Sequence, residues 1–180
     1  DMSTLNVTNI KAADGTSGLT IANSTGIVTA TKGVNSVAFS VNAFNLDQSI
    51  SSGKLEWGST PSLDTHSYWD STNHRYTPGV AGWYLFGGTV RVSTSSGGDG
   101  SPHNLMVLDL QKNGTSVIRS QLQTNSDIII NGSYMIPNAM IQLNGSGDYV
   151  EVHISTDETA IVHDHPTVGS EFWGMLVQAT

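Results

Sequence analysis

The stretch that decides the fold is residues 68–92, which read YWDSTNHRYTPGVAGWYLFGGTVRV. Its first half is rich in Asp, Ser, Thr, Asn, Pro and Gly, the residues that favour turns. From Gly82 onward the chain becomes apolar, aromatic and β-branched, which is typical of a strand. Successive strand side chains point to opposite faces. This strand therefore carries large apolar residues on both faces: Tyr84, Phe86, Val90 and Val92 on one, Trp83 and Leu85 on the other.

Further apolar segments recur along the chain with turn signals between them. The predicted strands are Ser36–Phe44, Asn104–Lys112, Thr115–Gln123, Ser133–Leu143, Asp148–Ser155 and Glu171–Gln178. Asn113-Gly114 is a two-residue hairpin signal between two of them, and Pro137 indicates an edge or a bulge. No segment has a helical pattern. The sequence therefore predicts an all-β sandwich or barrel.

The first 33 residues differ from the rest of the chain in composition and in their hydrophobic pattern. Leu19 and Ile21 face Ile27 and Val28 across a turn at residues 23–26, which predicts a hairpin. This segment has too few apolar residues for a core of its own. We expect residues 1–33 to form an extended arm or stem, and residues 34–180 to form one domain.

Charge and composition exclude several classes of function. The chain has 7 basic and 15 acidic residues and a formal net charge of -8. It has no basic stripe, so neither nucleic acid nor an anionic membrane is an expected partner. No long apolar segment predicts membrane insertion. The chain has no Cys and none of the common nucleophile, zinc-protease or phosphate-binding motifs, and we do not expect an enzyme.

Five segments resemble, in order, the complement 1q family of jelly-roll domains. They are Val37–Ser40, Tyr68–Phe86, Asp109–Gly114, Leu143–Val150 and Phe172–Leu176. The second departs from the family signature at Ala81, where Pro is usual, and at Asn73-His74, where Gly is usual. The resemblance covers about residues 36–178. It implies a two-sheet antiparallel jelly roll of the complement 1q/tumour necrosis factor type that assembles as a homotrimer.

The doubly apolar strands fit that implication. A solvated sheet face is ordinarily polar, so a second apolar face must be covered, either by a loop or by another subunit. We interpret it as buried between subunits. The predicted interface residues are Trp83, Leu85, Trp173, Met175 and Val177.

The opening segment from Ser3 to Ile10 and the hairpin after it resemble the start of bacteriophage fibre and virion proteins, those of cyanophages especially. The leading hypothesis is therefore a non-enzymatic trimeric fibre or virion-surface protein, assembled in the host cytoplasm. Its partners would be a host-surface receptor, with a glycan as the favoured class, and other virion proteins. The alternatives are a purely structural capping or decoration protein, and a secreted bacterial or animal recognition domain.

Two groups of residues are candidates for ligand binding. Trp57, His66, Tyr68 and Trp69 have the aromatic and polar character that suits stacking on sugars; packing in the core or at an interface is the alternative explanation.

His163 and His165 lie two residues apart and would project to the same side of a strand. In a trimer they would supply six nitrogens for a divalent metal on the three-fold axis, such as iron, nickel or zinc. The alternative is a solvated loop before the last strand. No other cofactor is expected.

Overall fold

The computed structural model describes residues 9–11, 17–21, 28–29, 37–42, 48–93, 103–128, 131–162 and 169–180. The chain divides into two compact units, Asp1–Ser36 and Val37–Thr180. All regular elements in the described ranges are strands or short turns, and no helix occurs among them. Accordingly, these ranges contain no helix with the length and apolar character needed to cross a membrane.

The first unit contains a small antiparallel sheet. Its strands are β1 (Asn9–Lys11), β2 (Ser17–Ile21) and β3 (Val28–Thr29), in the spatial order β1-β2-β3. Ile21 lies opposite Val28, so the predicted hairpin forms between these two strands. The idea that this segment serves as an arm or stem stays a prediction.

The described residues of the second unit form eleven strands. They are β4 (Ala38–Asn42), β5 (Gln48–Lys54), β6 (Leu63–Asp64), β7 (Trp69–Asp70), β8 (Arg75–Tyr76), β9 (Ala81–Ser93), β10 (His103–Lys112), β11 (Thr115–Ile128), β12 (Asn131–Asn144), β13 (Val150–Val162) and β14 (Glu171–Ala179).

Hydrogen bonding arranges these strands in two layers that meet at one corner. The first layer, called the β9 sheet, has the order β12-β9-β14-β4-β6. The second layer, called the β13 sheet, has the order β11-β10-β13, with β5 and β8 also paired to β13 and β7 paired to β8. The layers join where Ile161 and Val162 of β13 pair with Ser93 and Val92 of β9. All pairings are antiparallel, and the result is a sandwich that is nearly closed into a barrel.

An aromatic cluster fills the space between the layers. Phe39 stacks on Tyr76 with ring centroids 4.0 Å apart and meets Phe172 edge-on at 5.1 Å. Tyr84 and Phe86 also belong to the cluster, and these five side chains are essentially inaccessible to solvent. Each aromatic side chain removes roughly 150–250 Å² from water, so this cluster is a major source of the stability of the domain.

Two local sequence signals act as predicted. Asn113 and Gly114 both have positive φ, 52° and 74°, which a two-residue hairpin of the favoured twist requires. They connect β10 to β11. Around Pro137 the register of β12 against β9 shifts between Ile136 and Ala139, and among the described strands β12 pairs only with β9. Pro137 therefore lies at a bulge in an edge strand.

The strand β5 was not predicted, because its sequence, QSISSGK, lacks an apolar alternation. It forms by pairing with β13, where Lys54 lies opposite His153 and Ser52 opposite Ser155. The extension of β13 beyond Ser155 was also missed.

Candidate functional site

The outer face of the β9 sheet carries an apolar row that crosses four strands. Leu85 of β9 lies opposite Met140 of β12 on one side and Met175 of β14 on the other. Met175 in turn lies opposite Ala38 of β4. Directly opposed side chains on one face are in contact distance of each other. The four residues therefore form a continuous apolar row.

A second row runs beside the first and contains Trp173. Trp173 lies opposite Gly87 on β9 and Ser40 on β4, and Ser40 lies opposite Leu63 on β6. A Cβ atom added at Gly87 would lie 2.8 Å from the indole of Trp173. The same Cβ would overlap Oδ1 of Asn138, so glycine at position 87 leaves room for both the indole and the Asn138 side chain.

Exposure distinguishes this face from the rest of the molecule. Of eight exposed large hydrophobic side chains among the described residues, six belong to strands of the β9 sheet. The six are Leu63, Trp83, Met135, Met140, Met175 and Val177. Clustering on one sheet is unusual, because exposed apolar residues are ordinarily scattered. We call this surface, with Leu85 and Trp173, the apolar face.

Charged side chains lie at one end of the apolar face. By strand alternation, Arg91 and Glu171 are its ionisable residues in the described ranges, and both are close to the corner with the β13 sheet. Glu171 accepts a hydrogen bond from the hydroxyl of Ser40 at 2.8 Å. A charge-depleted apolar centre with polar groups at its margin is the composition of a protein interface. The five predicted interface residues all lie on strands β9 and β14 of this sheet.

The aromatic residues proposed for sugar stacking do not form an open platform. Trp57 is 1% exposed and stacks on Phe172, with ring centroids 5.6 Å apart. The prediction that Trp57 binds a ligand is therefore wrong. A ring that stacks on a sugar must have one face open to the ligand, and the Trp57 ring is buried in the core. Trp69 stacks on Phe39 at 5.7 Å, and its Nε1 donates to the carbonyl of Gly58. Trp69 is likewise used mainly for packing.

His66 and Tyr68 keep part of their surface in solvent. Their rings stack with centroids 5.5 Å apart, and the hydroxyl of Thr65 lies 2.8 Å from Nδ1 of His66. Tyr68 also packs against Gly79 and the edge of the core. A ligand-binding role for this pair stays a prediction.

The outer face of the β13 sheet carries a polar pocket that sequence reasoning missed. Arg119, Asp109, His153 and Lys54 stand opposite one another in a single row across β11, β10, β13 and β5. A cavity of about 310 Å³ opens over this row and the next one. The alternation of polar residues in β10 and β13 was a signal for a solvated face, but it could not show that the face is concave.

Shifted pKa values belong mainly to packing and turn residues. Burial raises the pKa of Tyr84 to about 12, and the nearby Tyr68 adds to the effect. Burial also raises the pKa of Tyr76 far above its usual range. The pKa of Asp148 is lowered by hydrogen bonds from Lys112 and Asn113. Tyr76 and Tyr84 belong to the core, and Asp148 belongs to a turn.

Metal binding finds no support in the described ranges. They contain no group of three or more His, Asp or Glu side chains that could hold a metal ion. His163 and His165, the predicted ligands, lie outside the described residues. The proposed axial metal therefore stays a prediction.

Comparison with solved structures identifies the fold. The chain is similar to "Eiger TNF from S. frugiperda", with a TM-score of 0.62 and 12% sequence identity over 81% of this chain and 95% of that one. It is also similar to the globular domain of zebrafish complement 1qA protein, with a TM-score of 0.52 and 17% identity over 81% of this chain and 99% of that one. No protein-family profile and no curated protein sequence matches the chain. The domain therefore has the tumour necrosis factor/complement 1q jelly-roll fold, as the sequence predicted.

Proposed function

We propose that this protein is a non-enzymatic recognition module that works as a homotrimer, with the apolar face of the β9 sheet buried between subunits. The observation that carries the proposal is the apolar face itself. Its centre contains Leu85, Met140, Met175 and Trp173, and its charged residues are confined to one end.

A second copy of the chain is the occupant that fits this face. The surface is broad, because it crosses β12, β9, β14 and β4. An interface between copies of one chain is more apolar than a transient interface, which agrees with the clustering of Met, Leu and Trp. The tumour necrosis factor/complement 1q fold is often used as a trimeric recognition domain, and this use supports the same assignment.

Such an assembly would leave the outer face of the β13 sheet and the loops available to a partner. For the setting we propose a phage fibre or virion surface, and for the partner a host-surface receptor of glycan type. The support is the character of residues 1–33, which resemble fibre-protein openings, and the composition of the chain, which lacks Cys and is acidic. A purely structural cap is the competing role, and it would use the same trimer without a ligand.

Sedimentation equilibrium of the full chain at micromolar concentration tests the trimer. We expect a mass near three times 19.1 kDa, and a monomeric mass would refute the proposal. Binding of the fluorescently labelled trimer to candidate host cells, before and after periodate oxidation of surface glycans, tests recognition. Periodate-sensitive binding is expected. A stable trimer that binds no candidate cell would favour the structural cap.

A further inference from the structure

The pocket on the β13 sheet has walls that are held rigidly in place. Asp109 is only 5% exposed although it lies on the outer face of the sheet. One carboxylate oxygen accepts a hydrogen bond from the hydroxyl of Ser116 at 2.6 Å. The other accepts one from Nε2 of Gln111 at 2.9 Å and forms an ion pair with Nε of Arg119 at 3.2 Å. A buried carboxylate held by two hydrogen bonds and one ion pair restrains the orientation of Gln111 and Arg119.

A second buried carboxylate fixes the opposite wall. Glu151 is 7% exposed, and its carboxylate lies 3.2 Å from Nε2 of His153 and 3.8 Å from Nζ of Lys54. Because a carboxylate only accepts hydrogen bonds, Nε2 of His153 carries the hydrogen. In the neutral imidazole, Nδ1 is then an acceptor. The pocket wall is thus preorganised, which reduces the entropic cost of binding a small ligand.

The groups that face the cavity can both donate and accept. The terminal nitrogens of Arg119, Nδ1 of His153 and the hydroxyls of Ser52 and Ser155 have no side-chain partner in the part of the chain that the structure describes, and all four residues line the cavity. Arg119 donates, the imidazole nitrogen accepts, and the hydroxyls do both. This combination matches vicinal hydroxyl groups, which are themselves both donors and acceptors.

The charge of the pocket is balanced. Among the residues that line the cavity, Asp109 contributes one negative charge and Arg119 one positive charge. Beside them, Glu151 is paired with Lys54. A ligand with a net charge of either sign would meet no compensating field. A neutral ligand is therefore favoured over a carboxylate, a phosphate or an amine.

The size of the cavity and the apolar side chain at its base restrict the ligand class further. The cavity of about 310 Å³ is at the small end of ligand pockets, so it suits one ring rather than a chain of them. Val107 lies between Gln121 and Ser155 in the row beside Asp109, and it supplies an apolar contact among polar walls. A pyranose presents an apolar C–H face together with hydroxyl edges.

We infer that this pocket binds a single neutral sugar residue, with its hydroxyls on Arg119, His153 and Ser155 and its C–H face on Val107. The inference rests on the proposed recognition function, because the pocket lies on the sheet that the proposed trimer leaves exposed. Three pockets per trimer would convert weak single-site binding into avidity for a glycan-bearing surface, a gain that reaches roughly 10²–10⁴-fold when linked sites bind together.

Saturation-transfer NMR and calorimetry of the full chain test the inference, with glucose, galactose, mannose and N-acetylglucosamine as neutral probes. Glucuronate and glucosamine are the charged comparisons. Ser155→Phe places a ring over Val107, and Arg119→Ala removes the donor from a side chain that is 61% exposed. Gln123→Ala is the matched control, since Gln123 is exposed on the same strand as Arg119 and does not line the cavity.

We expect at least one neutral sugar to bind saturably in the millimolar range and better than both charged probes. Ser155→Phe should weaken that binding at least tenfold, Arg119→Ala at least threefold, and Gln123→Ala by less than twofold. Absence of saturable binding, a preference for a charged probe, or unchanged affinity in a folded Ser155→Phe variant would overturn the inference. Sedimentation of the same samples separates the two proposals: a trimer that binds no sugar refutes the pocket alone, and a monomer that binds sugar refutes the trimer alone.

Discussion

The substitution Met175→Asp separates the stability of the domain from the stability of the proposed trimer. In the isolated domain, Met175 is 44% exposed on β14, so a carboxylate at this position stays in contact with water. Surface substitutions of this kind change the free energy of unfolding by about 0.5 kcal/mol. We therefore expect the variant to fold.

The effect on assembly is far larger. Each subunit would lose the burial of a methionine side chain, about 1.5–3 kcal/mol, and would transfer a carboxylate into a poorly hydrated interface at a cost of several kcal/mol. Over three subunits the sum is on the order of 10 kcal/mol or more. Since about 1.4 kcal/mol corresponds to a factor of ten, the trimerisation constant should fall by roughly seven orders of magnitude.

Sedimentation equilibrium and circular dichroism measure the two effects on the same sample. The matched control is Val117→Asp, because Val117 is 45% exposed and lies on β11 of the opposite sheet. We expect Met175→Asp to be a folded monomer at micromolar concentration and Val117→Asp to remain a trimer. A folded Met175→Asp trimer, or equal dissociation of both variants, would refute burial of the apolar face between subunits.

Three further substitutions test the packing and the turns. Tyr76→Phe should raise the free energy of unfolding by about 1 kcal/mol in urea denaturation, because the buried Tyr76 hydroxyl has no hydrogen-bond partner among the described residues, and a lower stability would contradict this reading. Gly174→Ala should lower it by about 1–3 kcal/mol, since the added Cβ would lie 2.6 Å from the ring of Phe86 and 2.8 Å from that of Phe39; an unchanged urea midpoint would show that the rings move freely. Asp148→Asn should cost about 1–3 kcal/mol at pH 7. Because the pKa of Asp148 is lowered from its ordinary value of 3.8, this difference should be complete above about pH 5 and should shrink as the pH falls below 3.8; a difference that stays constant between pH 7 and pH 2 would exclude the charged hydrogen bonds as its source.

Local signals were sufficient to predict much of the fold. The dipeptide Asn113-Gly114 specifies a hairpin because both residues tolerate positive φ, and Pro137 specifies an edge because it cannot donate to a neighbouring strand. The long apolar strand around Trp83 and Tyr84 has the same faces in the structure as in the sequence pattern. These features depend on residues close together in the chain. The five segments that resemble jelly-roll motifs also occur in the family's order along the sequence.

The candidate sites depended on residues far apart in the chain. Strand alternation is a local rule, so the sequence by itself determined on which face of a strand a side chain lies. It placed Trp83, Leu85, Trp173 and Met175 on the faces opposite to those of Tyr84, Phe86 and Phe172. It could not decide that Trp57 is buried while Trp173 is partly exposed, since burial depends on which distant strands pack over each ring.

Only the tertiary structure decided which distant residues meet. The β13-sheet pocket unites residues of β5, β10, β11 and β13, and β5 has no strand pattern of its own until β13 provides its hydrogen-bonding partner. Strand pairing places Lys54 beside Glu151 and Asp109 beside His153, although the members of each pair are far apart in the sequence. Register is a property of a pair of strands and not of either one, and for this reason one strand's sequence cannot specify a site that is built across four.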